Sequence, residues 1–338
     1  MKVITTTGFY GTGSSAITDL FKEIDIVYAN DDYEFRIFCD PDGLSDLEYN
    51  LIQNPNRHNT SNSIKRFLKQ AEFLNGNKIV KRYNKYFGDS FIKETYKYID
   101  NICDFKYHGI WYFDIYERGH LFWFFSRIYS KINMIIMKFV DKNYERQKSL
   151  LPDDEPAYAG TFSEDKFLAA TKNYTSALLW MFNKNESEYA MLDQLVPPTN
   201  LKRYSRYFED IKIFVVDRDP RDIYLLEKEY WHGKTAPVYD VEVFVKWYRW
   251  TRKQYELFEN PDNVMKIQFE DMIYFYDKTV NSILNFMNIS PSHHIHKMKY
   301  FNPSISIKNT KLWEKHPEYK NDIDYIEKEL SQYCYTKV

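Results

Sequence analysis

A chain of 338 residues, 44% hydrophobic, can bury one large α/β core or two small ones, which excludes global disorder. Its net charge of -2 argues against a dedicated nucleic-acid binder, whose domains are strongly basic. The three cysteines, Cys39, Cys103 and Cys334, offer neither a metal knuckle nor a disulfide framework, and the expectation is a cytoplasmic protein without a signal peptide.

The first predicted element is a β-branched run from Val3 to Thr7 that feeds the turn Gly8-Phe9-Tyr10-Gly11-Thr12-Gly13-Ser14-Ser15. From Ala16 the pattern is helical. Only 10 glycines occur in the chain, so three of them in one loop mark it out. Strand, glycine-rich turn and helix start together form an anion cradle, because backbone N–H groups converge there. The Gly8-to-Gly13 spacing matches G-x-x-x-x-G-K-[ST], but Ser14 stands at the lysine position. A phosphate-shaped loop without that lysine points away from a nucleoside triphosphate.

A second strand is expected over Ile24–Ala29, part of another over Tyr33–Phe38, and a turn at Asp40–Gly43. From about Ser45 to Phe105 the pattern is mostly helical, with Ile79-Val80 as a short buried patch. Lys106–Asp114 reads as a strand, Glu117 to about Lys148 as helix, and Leu151–Pro156 as a loop. Within the helix, Leu121–Val140 is long enough to span a bilayer but is interrupted by Arg127, Lys131, Asn133 and Lys138. It fits a helix packed on the core, or an amphipathic helix that covers a site or lies in peripheral contact with a membrane. Ser163 caps a helix whose apolar face uses Phe167, Ala170, Tyr174, Leu178 and Met181.

Further along, Tyr189–Asp193, Ile211–Val216 and Val264–Phe269 read as strands. Asp240 caps a helix bearing Phe244, Trp247, Tyr248 and Tyr255, and Tyr276 to Met287 is helical. Strands separated by helices imply an α/β fold with a mainly parallel sheet, helices on both faces, and ligands beyond the strands' carboxyl ends. One domain, 1–338, is expected, with residues 45–185 as a mostly helical insertion.

The first loop, the turn Asp217-Arg218-Asp219-Pro220-Arg221-Asp222, and Val264–Met272 with its following helix occur in an order that resembles the sulfotransferases. These use 3′-phosphoadenosine 5′-phosphosulfate (PAPS), and the likeness is greatest to bacterial glycan-modifying members. It covers roughly residues 1–40 and 189–338 and implies the P-loop-like fold. It also implies that Gly11, Thr12, Gly13, Ser14 and Ser15 bind the 5′-phosphosulfate. Many members carry a lysine or arginine where this chain has Gly11, so another cation must substitute; Arg36, Lys81 and Arg82 are the candidates.

The resemblance assigns Arg218 to the 3′-phosphate, although the serine expected eight residues later is Leu226. Arg221 or a nearby backbone group could compensate. The alternative is that Arg218 merely pairs with Asp217, Asp219 or Asp222. Ser306–Trp313 resembles a late loop that closes on the nucleotide, with Lys308 or Lys311 near phosphate and Asn309 hydrogen-bonding. Trp313 could equally be a core residue.

Glycan sulfotransferases of the heparan type carry a catalytic glutamate in a place similar to Glu34, next to Arg36. A base there takes the proton of a sugar hydroxyl. Asp31 or Asp32 could raise its pKa. The alternative is a Glu34–Arg36 surface pair, or Arg36 binding an acidic substrate. His108 is the competing base and His120 a weaker one. Asp193-Gln194, ahead of Pro197-Pro198, could line the site.

The reading is therefore a PAPS-dependent transferase without a metal, acting on a carbohydrate or glycolipid acceptor. The aromatic faces of 45–185 are expected to stack on sugar rings. A P-loop kinase or NTPase, and a non-catalytic nucleotide- or glycan-binding protein, are the rivals.

Overall fold

Alternation in the strands sets the layers. In β1 (Lys2–Gly8), Val3 points to one hydrophobic core and Ile4 to another. The same split recurs in β6 (Ile211–Asp217), where Ile213 and Val215 face the first core and Phe214 and Val216 the second. A strand apolar on both sides must lie between two covering layers, which is the environment of a parallel sheet. The computed structural model describes residues 1–108, 117–141, 156–233 and 235–337. Its sheet has the order β2-β5-β1-β6-β7, all parallel, with β2 Val27–Glu34, β5 Tyr189–Asp193 and β7 Val264–Gln268.

The second core is closed by the helices Ser15–Phe21 and Tyr276–Met287, through Ile17, Leu20, Val280 and Ile283. The first core is closed by the helical middle, chiefly Arg57–Asn75, Ser90–Ile102 and Glu164–Phe182. The α/β architecture with helices on both faces is thus as expected. A small antiparallel pair, β3 (Phe105–His108) with β4 (Pro156–Ala159), lies apart from the main sheet. A third core joins the helices Pro220–Leu226, Val241–Glu256 and Lys320–Glu329.

Several expectations shift. The two short strands expected between Ile24 and Phe38 are one strand, β2, whose register against β5 breaks between Ala29 and Glu34. The Phe35 amide still donates to the Asp193 carbonyl at 2.9 Å, but beyond it the segment leaves the sheet, where the Leu44 and Ser45 amides donate to the Ile37 and Phe38 carbonyls and fold it into a turn. Ile79 and Val80 are not a buried patch; Ile79 is 91% exposed, in a turn where Asn77 accepts from both amides. The strand expected over Lys106–Asp114 is Phe105–His108, and its remainder lies outside the described residues. So do the end of the Glu117–Lys148 helix beyond Asp141 and all of the Leu151–Pro156 loop except Pro156. The helix Gly119–Val140 is exposed along most of its length, with Ser126 its one buried residue, so it does not pack into a core.

Local signals explain the remaining boundaries. Ser163 accepts from the Lys166 amide and Asp240 from Glu242 and Val243, so both helices begin where a capping oxygen satisfies free N–H groups.

Candidate active site

Three adjacent strands, β2, β5 and β1, end at one cleft of about 770 Å³. Its walls are the first loop from Gly8 to Ser15, Glu34 and Arg36 after β2, Asp193 to Thr199 after β5, and Trp231, Trp250 and Gln254 from the far side.

The loop is held open by its backbone. Tyr10, Gly11 and Gly13 have φ of 66°, 66° and 81°. At Gly13 a side chain is excluded twice over, since a Cβ would also lie 2.7 Å from the Phe269 ring. No acceptor among the described residues engages the amides of Gly11 through Ser15. All five residues assigned to the phosphosulfate line the cleft. Gln194, itself at φ 56°, donates to Ser14 Oγ at 3.3 Å and accepts from Thr7 at 3.4 Å, tying the loop to β5 and β1.

Arg36 is the only cationic side chain among the described residues that line this cleft. Its Nε donates to Asp40 at 2.8 Å and its Nη1 to Glu34 at 3.3 Å. Burial works against its charge, but bonding to Asp40 and to Tyr10 outweighs that and raises its pKa. Lys81 and Arg82 do not reach the cleft; Arg82 lies over the Phe73 ring at 4.0 Å.

Glu34 sits opposite Asp193 in the β2–β5 register, so two carboxylates end neighbouring strands at the cleft. Glu34 is exposed, whereas Asp193 is buried and accepts from Thr6 Oγ1. The side chains of Asp31 and Asp32, expected to tune Glu34, are outside the described set. His108 and His120 are not brought to this cleft. His108 is exposed at the end of β3, paired with Pro156, and His120 is exposed on the Gly119–Val140 helix.

Arg218 is buried behind the loop and does not line the cleft. The aspartates around it have other partners. Asp217 pairs with Arg252 at 2.6 Å, Asp219 with Arg221 at 2.7 Å, and Asp222 accepts the amides of Lys311 and Leu312 at 3.1 and 2.8 Å. The Arg218 guanidinium instead donates to the Gly11 carbonyl at 3.3 Å and to the Asn309 carbonyl, over the Phe269 ring. One side chain therefore joins the first loop, the strand-end turn and the late segment. Its Nε is buried without a partner among the described residues. Burial lowers the Arg218 pKa against the pull of Asp222, Glu270 and Asp219. Burial also pushes Asp222 and Glu270 up to about 7.

Asn309 thus contributes a carbonyl, not a side chain, and Lys308 is exposed away from the cleft. Arg221 lies over the Trp313 ring at 3.9 Å; both line a separate cavity of about 390 Å³ with Asp222, Glu270 and Tyr274.

None of the described residues of 45–185 lines the cleft. Besides Phe9 and Tyr10 of the loop, the aromatic walls are Trp231 and Trp250, which sequence reasoning missed. Trp250 carried a usable signal, because it falls off the Phe244–Tyr248–Tyr255 stripe that anchors its helix. Trp231 ends a single π-helical turn and had none.

No protein-family model matches the chain, and no curated protein does. Among solved structures, the chain is similar to the sulfotransferase domain from the curacin biosynthetic pathway. The identity is 13% and the TM-score 0.41, over 98% of this chain and 97% of that one. A sulfotransferase of Mycobacterium avium, STF9, matches at 9% identity and TM-score 0.35, over 96% of this chain and 76% of that one. STF1 of Mycobacterium tuberculosis matches at 10% and 0.33, over 92% and 76%. With scores below 0.5, it is the geometry of the cleft that carries the function proposed next.

Proposed function

We propose that the protein transfers a sulfuryl group from PAPS to a hydroxyl of a carbohydrate acceptor. The observation that carries this reading is the meeting of three features at the ends of β1, β2 and β5. These are a phosphate-shaped loop lacking the NTP-binding lysine, the cation Arg36, and the carboxylate of Glu34.

The residues present fit such a donor. Amides from Gly11 to Ser15 that have no acceptor among the described residues, and the hydroxyls of Ser14 and Ser15, suit a phosphosulfate. Arg218, buried behind the loop, donates to the Gly11 and Asn309 carbonyls and so holds the first loop and the late segment in place. When bound, the donor supplies an already activated sulfuryl group, so the protein's task is positioning and charge stabilisation.

Glu34 is exposed to the cleft and takes the proton from the acceptor hydroxyl. Arg36, fixed by Asp40, lines the same cleft as the loop and holds Glu34 at 3.3 Å, which orients the carboxylate. Trp231 and Trp250 offer half-exposed rings against which the apolar face of a sugar packs.

The test is calorimetric titration with 3′-phosphoadenosine 5′-phosphate and, separately, ATP with magnesium, followed by turnover of PAPS against a panel of glycans. Expected are selective binding of the former and transfer that falls on the order of 10²–10⁴-fold in Glu34→Gln with unchanged nucleotide affinity. Preference for ATP, or binding without turnover, overturns the proposal.

A further inference from the structure

We propose that the helix Gly119–Val140 docks the protein on an anionic lipid surface, lying in the headgroup plane. The helix has 22 residues, and its side chains divide by exposure. Trp123, Ser126, Ser130, Asn133 and Met137 are half-buried or buried and mark the covered side. The opposite side runs from Leu121 through Phe125, Ile128, Ile132 and Ile135 to Phe139, all exposed, with Phe139 at 88%. At about 100° per residue these apolar positions form one continuous face. A face of this kind on a soluble surface marks an interaction site.

Charge identifies the occupant. The chain as a whole is at -2, yet residues 119–140 contain no Asp or Glu and carry Arg127, Lys131 and Lys138. Those three lie within roughly 40° of one another around the helix axis, along one edge of the apolar face. With that face sunk at the acyl boundary, their long stems reach back to the headgroups, where anionic lipid meets them. Arg127 already lies over the Trp123 ring at 5.5 Å, holding both at this level. A second copy of the chain fits less well, because the helix has no acidic side chain to meet its own basic row. Spanning is excluded as well, since among the described residues no helix is long and apolar enough to cross a membrane.

Docking is independent of the sulfuryl-transfer proposal and is read without turnover. Full-length protein is floated with vesicles of phosphatidylcholine alone and of phosphatidylcholine and phosphatidylglycerol in equal parts. Expected is flotation with the anionic vesicles that weakens with salt and is far lower with the neutral ones. Each cation near such a surface contributes on the order of fivefold, so R127Q/K131Q/K138Q lowers partitioning on the order of 100-fold. The variant F124S/I128S/I135S changes only exposed positions, so it keeps the parent's thermal midpoint while losing flotation. Failure of the parent to float, or equal flotation of the basic variant, overturns the proposal. So does a dimer in sedimentation that F124S/I128S/I135S converts to monomer, because the face then belongs to a second copy.

Discussion

The sheet-bearing segments and the helical middle both draw on the chain's 30 tyrosines and 25 phenylalanines, but they use aromatic rings differently. In the middle the rings pack on one another and their hydroxyls are consumed inside. Tyr98 bonds Thr171 at 3.0 Å, Tyr174 bonds Thr95 at 2.7 Å, and Tyr83 accepts from the Ile37 amide at 3.2 Å. Around the sheet, Trp231 and Trp250 are left half-exposed at the cleft, and Arg252 lies between the rings of Phe9 and Tyr248. Abundance of aromatics therefore says little about sugar binding. What matters is whether a ring stands off the apolar stripe of its own element.

Phe35 is where the two regions meet, and it gives the largest effect. Leaving β2, its ring contacts Tyr83, Tyr86, Phe87 and Phe182 at centroid distances of 5.2 to 5.7 Å. Phe35→Ala is expected to cost about 3–5 kcal/mol in chemical denaturation. Because the first core contains both sheet and middle residues, unfolding should stay a single transition. Two resolved transitions would separate the regions and break the comparison.

Gly13→Ala acts on the sheet side alone. The new methyl meets Phe269 and must adopt φ 81°, a strain of about 1–3 kcal/mol. Phe269 also carries Arg218, which donates to the Gly11 carbonyl, so a shifted ring loosens the loop of the proposed donor site from behind. The expected outcome is a lower thermal midpoint together with nucleotide affinity reduced on the order of tenfold by calorimetry. A drop in stability with unchanged affinity would detach the loop from the ligand.

Legibility followed the same division. The loop from Gly8 to Ser15 was readable because strand run, glycines and helix start are consecutive, and β5 and β6 because β-branched and apolar runs are bounded by polar turns. The pairing of Glu34 with Asp193 was not, since register between distant strands is set by the sheet's topology. Arg218 was placed correctly at a strand end, but whether a guanidinium faces a cleft or props a loop depends on Asn309, 91 residues away. For Leu121–Val140 the sequence left a core-packed and a surface-lying helix both open for a similar reason, and the exposure decides for the second. An amphipathic pattern shows that a helix has an apolar face, but not whether the rest of the chain covers it.

The smallest effect separates the regions by pH. Asp222 and Glu270, raised by burial to about 7, lie on the sheet side. In the unfolded chain both titrate near ~4. Between about pH 4 and 7 the unfolded state has released these protons and the folded state still holds them, so stability must fall as pH rises. Below that window both states are protonated, and above it both are ionised, so the slope disappears. Asp217 acts in the opposite sense. Burial alone would raise it, but Arg252 beside it more than compensates and lowers it, so its contribution is lost as pH falls below about 4. The tyrosines of the middle, Tyr98 and Tyr174, are raised by burial and stay neutral throughout. Asp222→Asn keeps an acceptor for the Lys311 and Leu312 amides while removing the titration. Its thermal midpoint should therefore fall less than the parent's between pH 4 and 7. Equal slopes would mean that the proton is held elsewhere than under Arg218.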